Sequence, residues 1–208
     1  LPSGKMKSRE GTVVDADDLV NDMVATAKQR TTELGKIDGF SDEEAERLYL
    51  QLALGALKYY LLKVDPKKRM LFNPEESIDF QGDTGVFIQF THARISAILR
   101  TATEQGLNYE DLNSLGKIEL SEFEIKVIEL LDDYLNKIAE AADKYAPSII
   151  AQYCYEVAKS YSRMYTELPI FKNVTPEQQK IRLAISAKAA QTIKNALTLL
   201  GIEAPERM

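Results

Sequence analysis

Three cations lie within five residues near the start of the chain, in the run Lys5-Met6-Lys7-Ser8-Arg9-Glu10-Gly11. Ammonium and guanidinium groups pair well with phosphate oxygens, so Lys5, Lys7 and Arg9 are candidates for binding a nucleotide or a nucleic acid. Glycines before and after these cations predict a loop. A solvated basic loop without a ligand is the simpler interpretation from composition alone.

A second cluster of reactive side chains occupies residues 82–95, which read Gly-Asp-Thr-Gly-Val-Phe-Ile-Gln-Phe-Thr-His-Ala-Arg-Ile. The glycines predict a turn, and the apolar spacing after them predicts a helix. His92 is the only histidine, and without cysteine or a second histidine nearby it cannot build a zinc site. No Ser/His/Asp arrangement surrounds it either, so it is favoured as a structural or RNA-contacting residue rather than a catalyst.

Tyrosines and cations alternate over residues 147–165. Tyrosines at helical spacing are usually core residues whose hydroxyls reach the surface. With Lys159 and Arg163 between them, they could instead stack on unpaired bases while the cations meet phosphates. Both interpretations stay open from these residues alone.

Helix-start signals divide the rest of the chain. Capping boxes are expected at Ser41, Ser121 and Thr175, where a hydroxyl residue precedes Glu or Gln by three positions. Asp15 is a further cap candidate, Pro147 fits a first helical turn and Gly201 fits a helix end. The sequence predicts an all-α bundle of about six helices over residues 15–35, 41–64, 85–104, 121–142, 147–165 and 175–200.

Composition narrows the class of protein. The 208 residues are 45% hydrophobic and 28% charged, which is typical of a soluble globular protein. No apolar run could span a bilayer and no signal peptide is present, so we expect no membrane partner and a cytoplasmic location. The single Cys154 suits a reducing compartment and is expected to be a small core residue.

The distribution of charge is uneven. The net charge of −6 argues against indiscriminate binding to nucleic acid, and we expect no DNA partner. Residues 147–208 nevertheless carry eight basic side chains against five acidic ones. A phosphate-facing surface is therefore possible in this part of the chain, although ordinary solvated helices also show such differences.

Four stretches, in order along the chain, resemble arginyl-tRNA synthetases. The lysine-rich run followed by Thr12-Val13-Val14 is similar to the KMSKS-type loop of class I aminoacyl-tRNA synthetases, except that Lys7 and Ser8 are exchanged. Residues 82–95 resemble the G-x-T-G-x-x-x-Q-[YF]-x-H-x-R-[IL] run that opens the anticodon-binding domain. Residues 147–165 resemble the core of the DALR anticodon-binding domain. Residues 196–208, ending Pro-Glu-Arg-Met, resemble the end of the arginyl enzymes.

The resemblance implies the organisation of the chain. Residues 1–35 would end the catalytic domain, with the KMSKS-type loop and a connecting helix, and residues 36–208 would form the helical DALR domain. The first residue is not methionine, so we expect an excised part of a longer protein. The intact enzyme would be an ATP- and Mg²⁺-dependent arginine–tRNA ligase, a protein-biosynthesis enzyme that joins arginine to tRNA(Arg) through an arginyl-adenylate. We expect this chain alone to be monomeric, without a bound cofactor or metal, and inactive in adenylation.

The resemblance also implies roles for individual residues. Lys5, Lys7 and Arg9 would stabilise the ATP phosphates, with Met6 and Ser8 in the same loop. Residues placed near the anticodon are Phe87, Phe90, Tyr165 and Met208. Two of these, Phe87 and Phe90, stand where tyrosine is common, so they keep a stacking face and lose a hydroxyl. Further positions, structural or RNA-binding, are Gln89, His92, Arg94 and Arg163.

Two alternatives remain at this stage. A related class I enzyme with a DALR domain, such as the cysteinyl enzyme, fits less well because of the residues 82–95 and the ending Pro-Glu-Arg-Met. A non-catalytic helical scaffold that binds protein through an exposed apolar patch is compatible with the periodicity.

Overall fold

The computed structural model of the chain describes residues 15–35, 38–65, 68, 74–112 and 115–208. Within those residues the helices in chain order are α1 (Ala16–Glu33), α2 (Asp42–Leu62), α3 (Pro74–Ser77), α4 (Gly85–Glu104), α5 (Glu122–Asp132), α6 (Tyr134–Lys144), α7 (Pro147–Glu167) and α8 (Pro176–Leu199). The described residues contain no β-strand, which confirms the predicted all-α class. None of these helices is long and apolar enough to cross a membrane.

The helix starts form as the sequence indicated. Reciprocal capping boxes are present at Ser41, Ser121 and Thr175. At the other end of the chain, Gly201 has a φ of 67° and the N–H of Ile202 donates to the carbonyl oxygen of Leu197, 2.9 Å away. This glycine stop ends α8 and turns the chain back over the bundle. Residues 201–208, called the post-α8 segment below, then run without regular structure.

One predicted helix is two in the structure. Residues 121–142 were expected to form a single helix, but α5 and α6 are divided at Asp133. The carboxylate of Asp133 accepts a hydrogen bond from the Asn136 amide at 2.9 Å and pairs with Lys137 at 3.7 Å. The apolar pattern continues across this division because α5 and α6 both pack on α7. Periodicity therefore could not reveal the break.

Two groups of buried side chains hold the helices together. The larger group lies mainly between α7 and α8 and includes residues of α4 and α5. The smaller group joins α1 to α2 and to the start of α4. Cys154 belongs to the larger group, with 1% of its surface exposed, and burial raises the pKa of its thiol. This confirms that Cys154 is a core residue.

Helices α2 and α4 approach each other closely at two glycines. A Cβ atom added to Gly85 would lie 2.6 Å from the carbonyl oxygen of Gly55, so a side chain at Gly85 would force the two backbones apart. An added Cβ on Gly55 would lie 2.5 Å from the side-chain amide of Gln89. The absence of side chains at both positions fixes which face of α4 is covered by α2.

Candidate nucleic-acid interface

A cleft of about 370 Å³ lies between α4 and the post-α8 segment. Its wall on α4 is formed by Phe90, Arg94 and Arg100 together with small alanine side chains. The opposite wall is formed by Arg207 and Met208, and the turn before α2 contributes Asp38 and Phe40. Three of these lining residues are arginines and one is a carboxylate, so the cleft has a local excess of positive charge although the chain is acidic.

Arg94 forms the centre of an aromatic–cation stack at this cleft. Its guanidinium carbon lies 4.7 Å from the ring centre of Phe90 and 5.5 Å from that of Tyr165. Phe90 is one turn before Arg94 on α4, whereas Tyr165 comes from the end of α7. Phe80 also packs edge-on against Phe90, with ring centres 5.9 Å apart. Tyr165 remains 38% exposed, so part of this residue is accessible to a ligand.

The post-α8 segment brings Arg207 and Met208 to the same cleft. Arg207 stacks on Phe40, with its guanidinium carbon 4.5 Å from the ring centre, and donates to the carbonyl oxygen of Gly39 at 3.2 Å. Met208 is half-buried against the core group of α1 and α2. The structure thus places Phe90, Arg94, Tyr165 and Met208 together, although they are distant in sequence.

Phe87 lies on the same side of the bundle but beside the cleft. Its ring packs edge-on against Tyr155, with centres 5.8 Å apart, and Lys159 lies 5.7 Å from the Tyr155 ring centre. The α4–α7 contacts continue in the same order along both helices, through Thr91 and Ser162 to Arg94 and Tyr165. Phe87 therefore lies next to the cleft, on the same α4–α7 surface as Arg94 and Tyr165.

Gln89 and His92 are buried rather than displayed to a ligand. The Gln89 side chain is 0% exposed and its amide donates to backbone carbonyl oxygens of α2 and the post-α8 segment. The His92 ring is 3% exposed, and Nδ1 donates to the carbonyl oxygen of Pro205 at 2.9 Å. Burial lowers the pKa of His92, which keeps the ring neutral at pH 7 despite the hydrogen bond to Pro205.

Arg163 is on the opposite side of α7 from the cleft. Its guanidinium carbon lies 5.0 Å from the ring centre of Phe123, in a depression between α5 and α7. The structure does not bring Arg163 to the side chains around Arg94.

The residues of the KMSKS-type run, Lys5, Met6, Lys7, Ser8 and Arg9, lie outside the described residues, and so their predicted role is not addressed by the structure. No group of potential metal ligands occurs among the described side chains.

Most of the lining residues were not identified from the sequence, among them Arg100, Arg207 and Phe40. Arg100 is six positions after Arg94, which at about 100° per residue puts the two about 120° apart around α4, so the helical period did not indicate it. Arg207 belongs to the recognised ending but was not assigned a role. Phe40 directly precedes the Ser41 cap, a position where an apolar residue usually packs on its own helix, and nothing local marked it as a cleft residue.

A family model described as the DALR anticodon binding domain matches residues 88–208. Across its whole length the chain is 54% identical to an arginine–tRNA ligase of Amoebophilus asiaticus and 49% identical to one of Parabacteroides distasonis, and it spans 35% of each. The arginyl-tRNA synthetase of Thermus thermophilus is similar in structure, with a TM-score of 0.83 and 27% identity, over 99% of this chain and 34% of that one. The Plasmodium falciparum enzyme shares the fold at a TM-score of 0.77 and 22% identity, over 94% of this chain and 34% of that one. The chain therefore spans about a third of the length of the curated relatives it matches.

Proposed function

The chain belongs to the DALR anticodon-binding domain family, and on that premise we propose that it is the C-terminal, anticodon-binding part of an arginine–tRNA ligase. The relatives with this name match it over all 208 residues. Its partner would be the anticodon stem-loop of tRNA(Arg), held in the cleft around Arg94. This proposal sets aside the cysteinyl alternative, because the relatives reported above are arginine–tRNA ligases over the whole length of the chain.

The observation that carries the proposal is the stack of Phe90, Arg94 and Tyr165 beside Met208. Proteins that bind single-stranded RNA combine aromatic faces, on which bases stack, with cations that meet the backbone phosphates. The exposed part of Tyr165 would receive an unpaired base of the loop, and Arg94 would hold that ring in place. Arg100 and Arg207 would meet phosphates at the cleft, each as a guanidinium whose fork-shaped donors suit phosphate oxygens.

Phenylalanine at positions 87 and 90 limits how the loop is read. A phenyl ring offers area for stacking but no hydroxyl for a hydrogen bond to a base edge. We therefore expect the aromatic surface to supply affinity, while discrimination between bases comes from the shape of the cleft and from the polar groups of the post-α8 segment.

The intact enzyme would ligate arginine to its tRNA in the cytoplasm as a monomer, using ATP and Mg²⁺ through an arginyl-adenylate. Lys5, Lys7 and Arg9 would hold the ATP phosphates, since three cations in a glycine-flanked loop can follow charge as it develops on a phosphate. The present chain would contribute anticodon binding and this loop.

The test is binding of the 208-residue chain to an arginine tRNA transcript at low salt, measured by fluorescence anisotropy. The comparison is the same transcript with its anticodon loop replaced. We expect tighter binding to the native loop. Arg94→Met and Tyr165→Ala should each weaken that binding about tenfold, within the range reported for loss of one base-stacking contact.

Arg163→Met removes the same charge from the opposite side of α7 and should cost less than Arg94→Met. Equal losses of affinity in the two variants would mean that binding depends on the total positive charge of the chain and not on the cleft. Equal binding to both transcripts would contradict anticodon reading by this chain. No binding by a chain with an intact helical spectrum would favour the protein-interaction scaffold, for which the apolar groove around Leu135, itself 74% exposed, is the available surface.

A further inference from the structure

We infer that Gln89, His92 and Arg100 are positioning residues: they hold the post-α8 segment by its backbone so that Met208 reaches the cleft. The inference rests on the proposed function for its consequence. It assigns the placement of an RNA-contacting residue to Gln89 and His92, which are buried away from the RNA, and to Arg100, which also lines the cleft. It replaces the expectation that Gln89 and His92 themselves belong to the RNA-binding surface.

Three side chains of α4 donate to three carbonyl oxygens of the post-α8 segment, in the same order along both. The bonds are Gln89 Nε2 to Glu203 O (2.8 Å), His92 Nδ1 to Pro205 O (2.9 Å) and Arg100 Nη1 to Glu206 O (3.0 Å). An irregular segment has no helical or sheet ladder to satisfy its carbonyl groups, so these side chains take the place of one. Sliding the segment by one residue would break all three bonds, and the bonds therefore set its register.

Helix α2 holds the same segment from the other side. Lys58 Nζ donates to the carbonyl oxygen of Gly201 at 2.5 Å, and the Gln51 amide donates to the Glu203 carboxylate at 2.7 Å. The amide of Gln89 links the two sides, because its second hydrogen bond, of 3.2 Å, goes to the carbonyl oxygen of Gln51 in α2. The post-α8 segment thus lies between two helices that both bind its main chain or its first side chains.

The Gln89 amide is oriented for this task at a cost. Its nitrogen donates to two carbonyl oxygens, while its own oxygen Oε1 is buried and accepts no hydrogen bond from any residue that the structure describes. Turning the amide over would direct that oxygen at both carbonyl groups, which repel it. The missing side chain at Gly55 leaves the space that the amide occupies. A buried polar group arranged in this way indicates a requirement for its two donors rather than simple packing.

The test follows the methyl group of Met208 by NMR in the full chain with ¹³C-methyl-labelled methionine. The Met208 resonance is assigned by comparison with a chain lacking that residue. We expect Gln89→Met and His92→Leu to move it to the position of a solvent-exposed methionine. His92→Asn keeps a donor near the Nδ1 position and should restore the resonance. Tyr153→Phe, which removes a hydrogen bond to the Leu130 carbonyl oxygen elsewhere in the bundle, is the matched control and should leave it unmoved.

Arg100→Met provides a variant that is expected to fold, because Arg100 is exposed and its substitution leaves the core intact. It should shift the Met208 resonance part of the way to the exposed position. An unmoved resonance in folded Gln89→Met, His92→Leu and Arg100→Met chains would overturn the inference.

Binding separates this inference from the proposed function. If both hold, Gln89→Met weakens binding to the native anticodon loop about tenfold, as removal of a well-packed contact residue does, and adds nothing to the deletion of Met208. A displaced Met208 with unchanged loop binding would leave the positioning role standing and would contradict loop reading by Met208.

Discussion

His92 lies where α4 meets the post-α8 segment, and its environment differs from that of Phe90 and Arg94 nearby on the same helix. The ring is buried and donates to Pro205, and the charges of Lys194 and Glu206 act on it in opposite directions. Because α4 packs against α2, α7 and α8, only a narrow strip of it faces the cleft. A residue's position in the recognised run therefore says less about its role than the face on which it lies.

This burial predicts a pH dependence of stability. The pKa of His92 is lowered by burial from its usual value of 6.5, so near that pH the unfolded chain binds a proton that the folded chain does not. The free energy of unfolding should therefore be at its full value above about pH 7 and should fall as the pH drops through about 6.5 toward the lowered folded pKa. Urea denaturation from about pH 7.5 to about pH 5.5 measures this, since most carboxylates stay ionised there.

The matched variant for this measurement is His92→Asn, which has no titrating ring. Because His92 is the only histidine, the variant should lose the slope near pH 6.5 while keeping the donor to Pro205. An unchanged slope in the variant would show that another group titrates in this range and that folding does not lower the pKa of His92.

Part of the candidate site was predicted correctly from the sequence. Phe90, Arg94, Tyr165 and Met208 were identified from the recognised runs, and they meet in the structure. Arg163 was grouped with Tyr165 because it lies among the tyrosines of residues 147–165. At about 100° per residue on an α-helix, however, the two residues point to opposite sides of α7. Which side of α7 faces the cleft is set by its contacts with α4 and α5, and no local pattern contains that information.

At the scale of elements, a buried ion pair joins α5 to α8. Glu124 and Arg182 are 2.8 Å apart, with side chains 3% and 7% exposed. Burial alone would raise the pKa of Glu124, but hydrogen bonds from Arg182 and Ser121 together hold it below its usual range. Arg182 also donates to the carbonyl oxygen of Pro169, in the loop between α7 and α8. The Ser121 capping box was predicted, whereas its link to α8 was not, since it depends on how the two helices pack.

Removal of one partner should be costly. Glu124→Ala leaves the Arg182 charge buried without its carboxylate, and we expect it to reduce the free energy of unfolding by about 3–5 kcal/mol. Glu129→Ala breaks the exposed pair with Lys126, whose atoms are 3.9 Å apart, and should cost less than about 1 kcal/mol. Urea denaturation at pH 7 compares the two. Similar losses would mean that the Glu124 pair contributes no more than a surface pair.

The helices themselves were largely predictable, because their starts depend on neighbouring residues. The capping boxes at Ser41, Ser121 and Thr175 each lie within four residues of sequence, and all three formed. The division at Asp133 was missed because both α5 and α6 turn an apolar face toward α7. The apolar periodicity therefore does not change at the residue where one helix ends and the next begins. Local signals locate elements, but they do not give their directions.

At the scale of the whole molecule, the chain corresponds to about a third of its curated relatives. The division at residues 35 and 36 into a catalytic remnant and a DALR domain stays a prediction. Helix α1, on the proposed catalytic side of that boundary, packs on α2 through Met23 and Ala27, which are both fully buried. On that division, α1 would connect the predicted KMSKS-type run to the helical bundle.

We predict that the chain alone does not form arginyl-adenylate. The HIGH motif of class I enzymes requires two histidines, and this chain has one. Arginine-dependent exchange of pyrophosphate into ATP should therefore be absent, whether or not tRNA is added. The control is the same assay with a full-length arginine–tRNA ligase, in which exchange is expected. Exchange by the 208-residue chain, abolished by Lys5→Ala, would contradict the prediction.

The burial of Cys154 has a practical consequence for site-directed labelling. A maleimide reacts with an accessible thiolate, and the one native thiol is both covered by α8 and held in its protonated form. The native chain is thus expected not to react with maleimides while it is folded. A cysteine introduced at Ala97, an exposed position that lines the cleft, would carry a fluorophore at a single site. Its emission would then report directly on what enters the space between Arg94 and Met208.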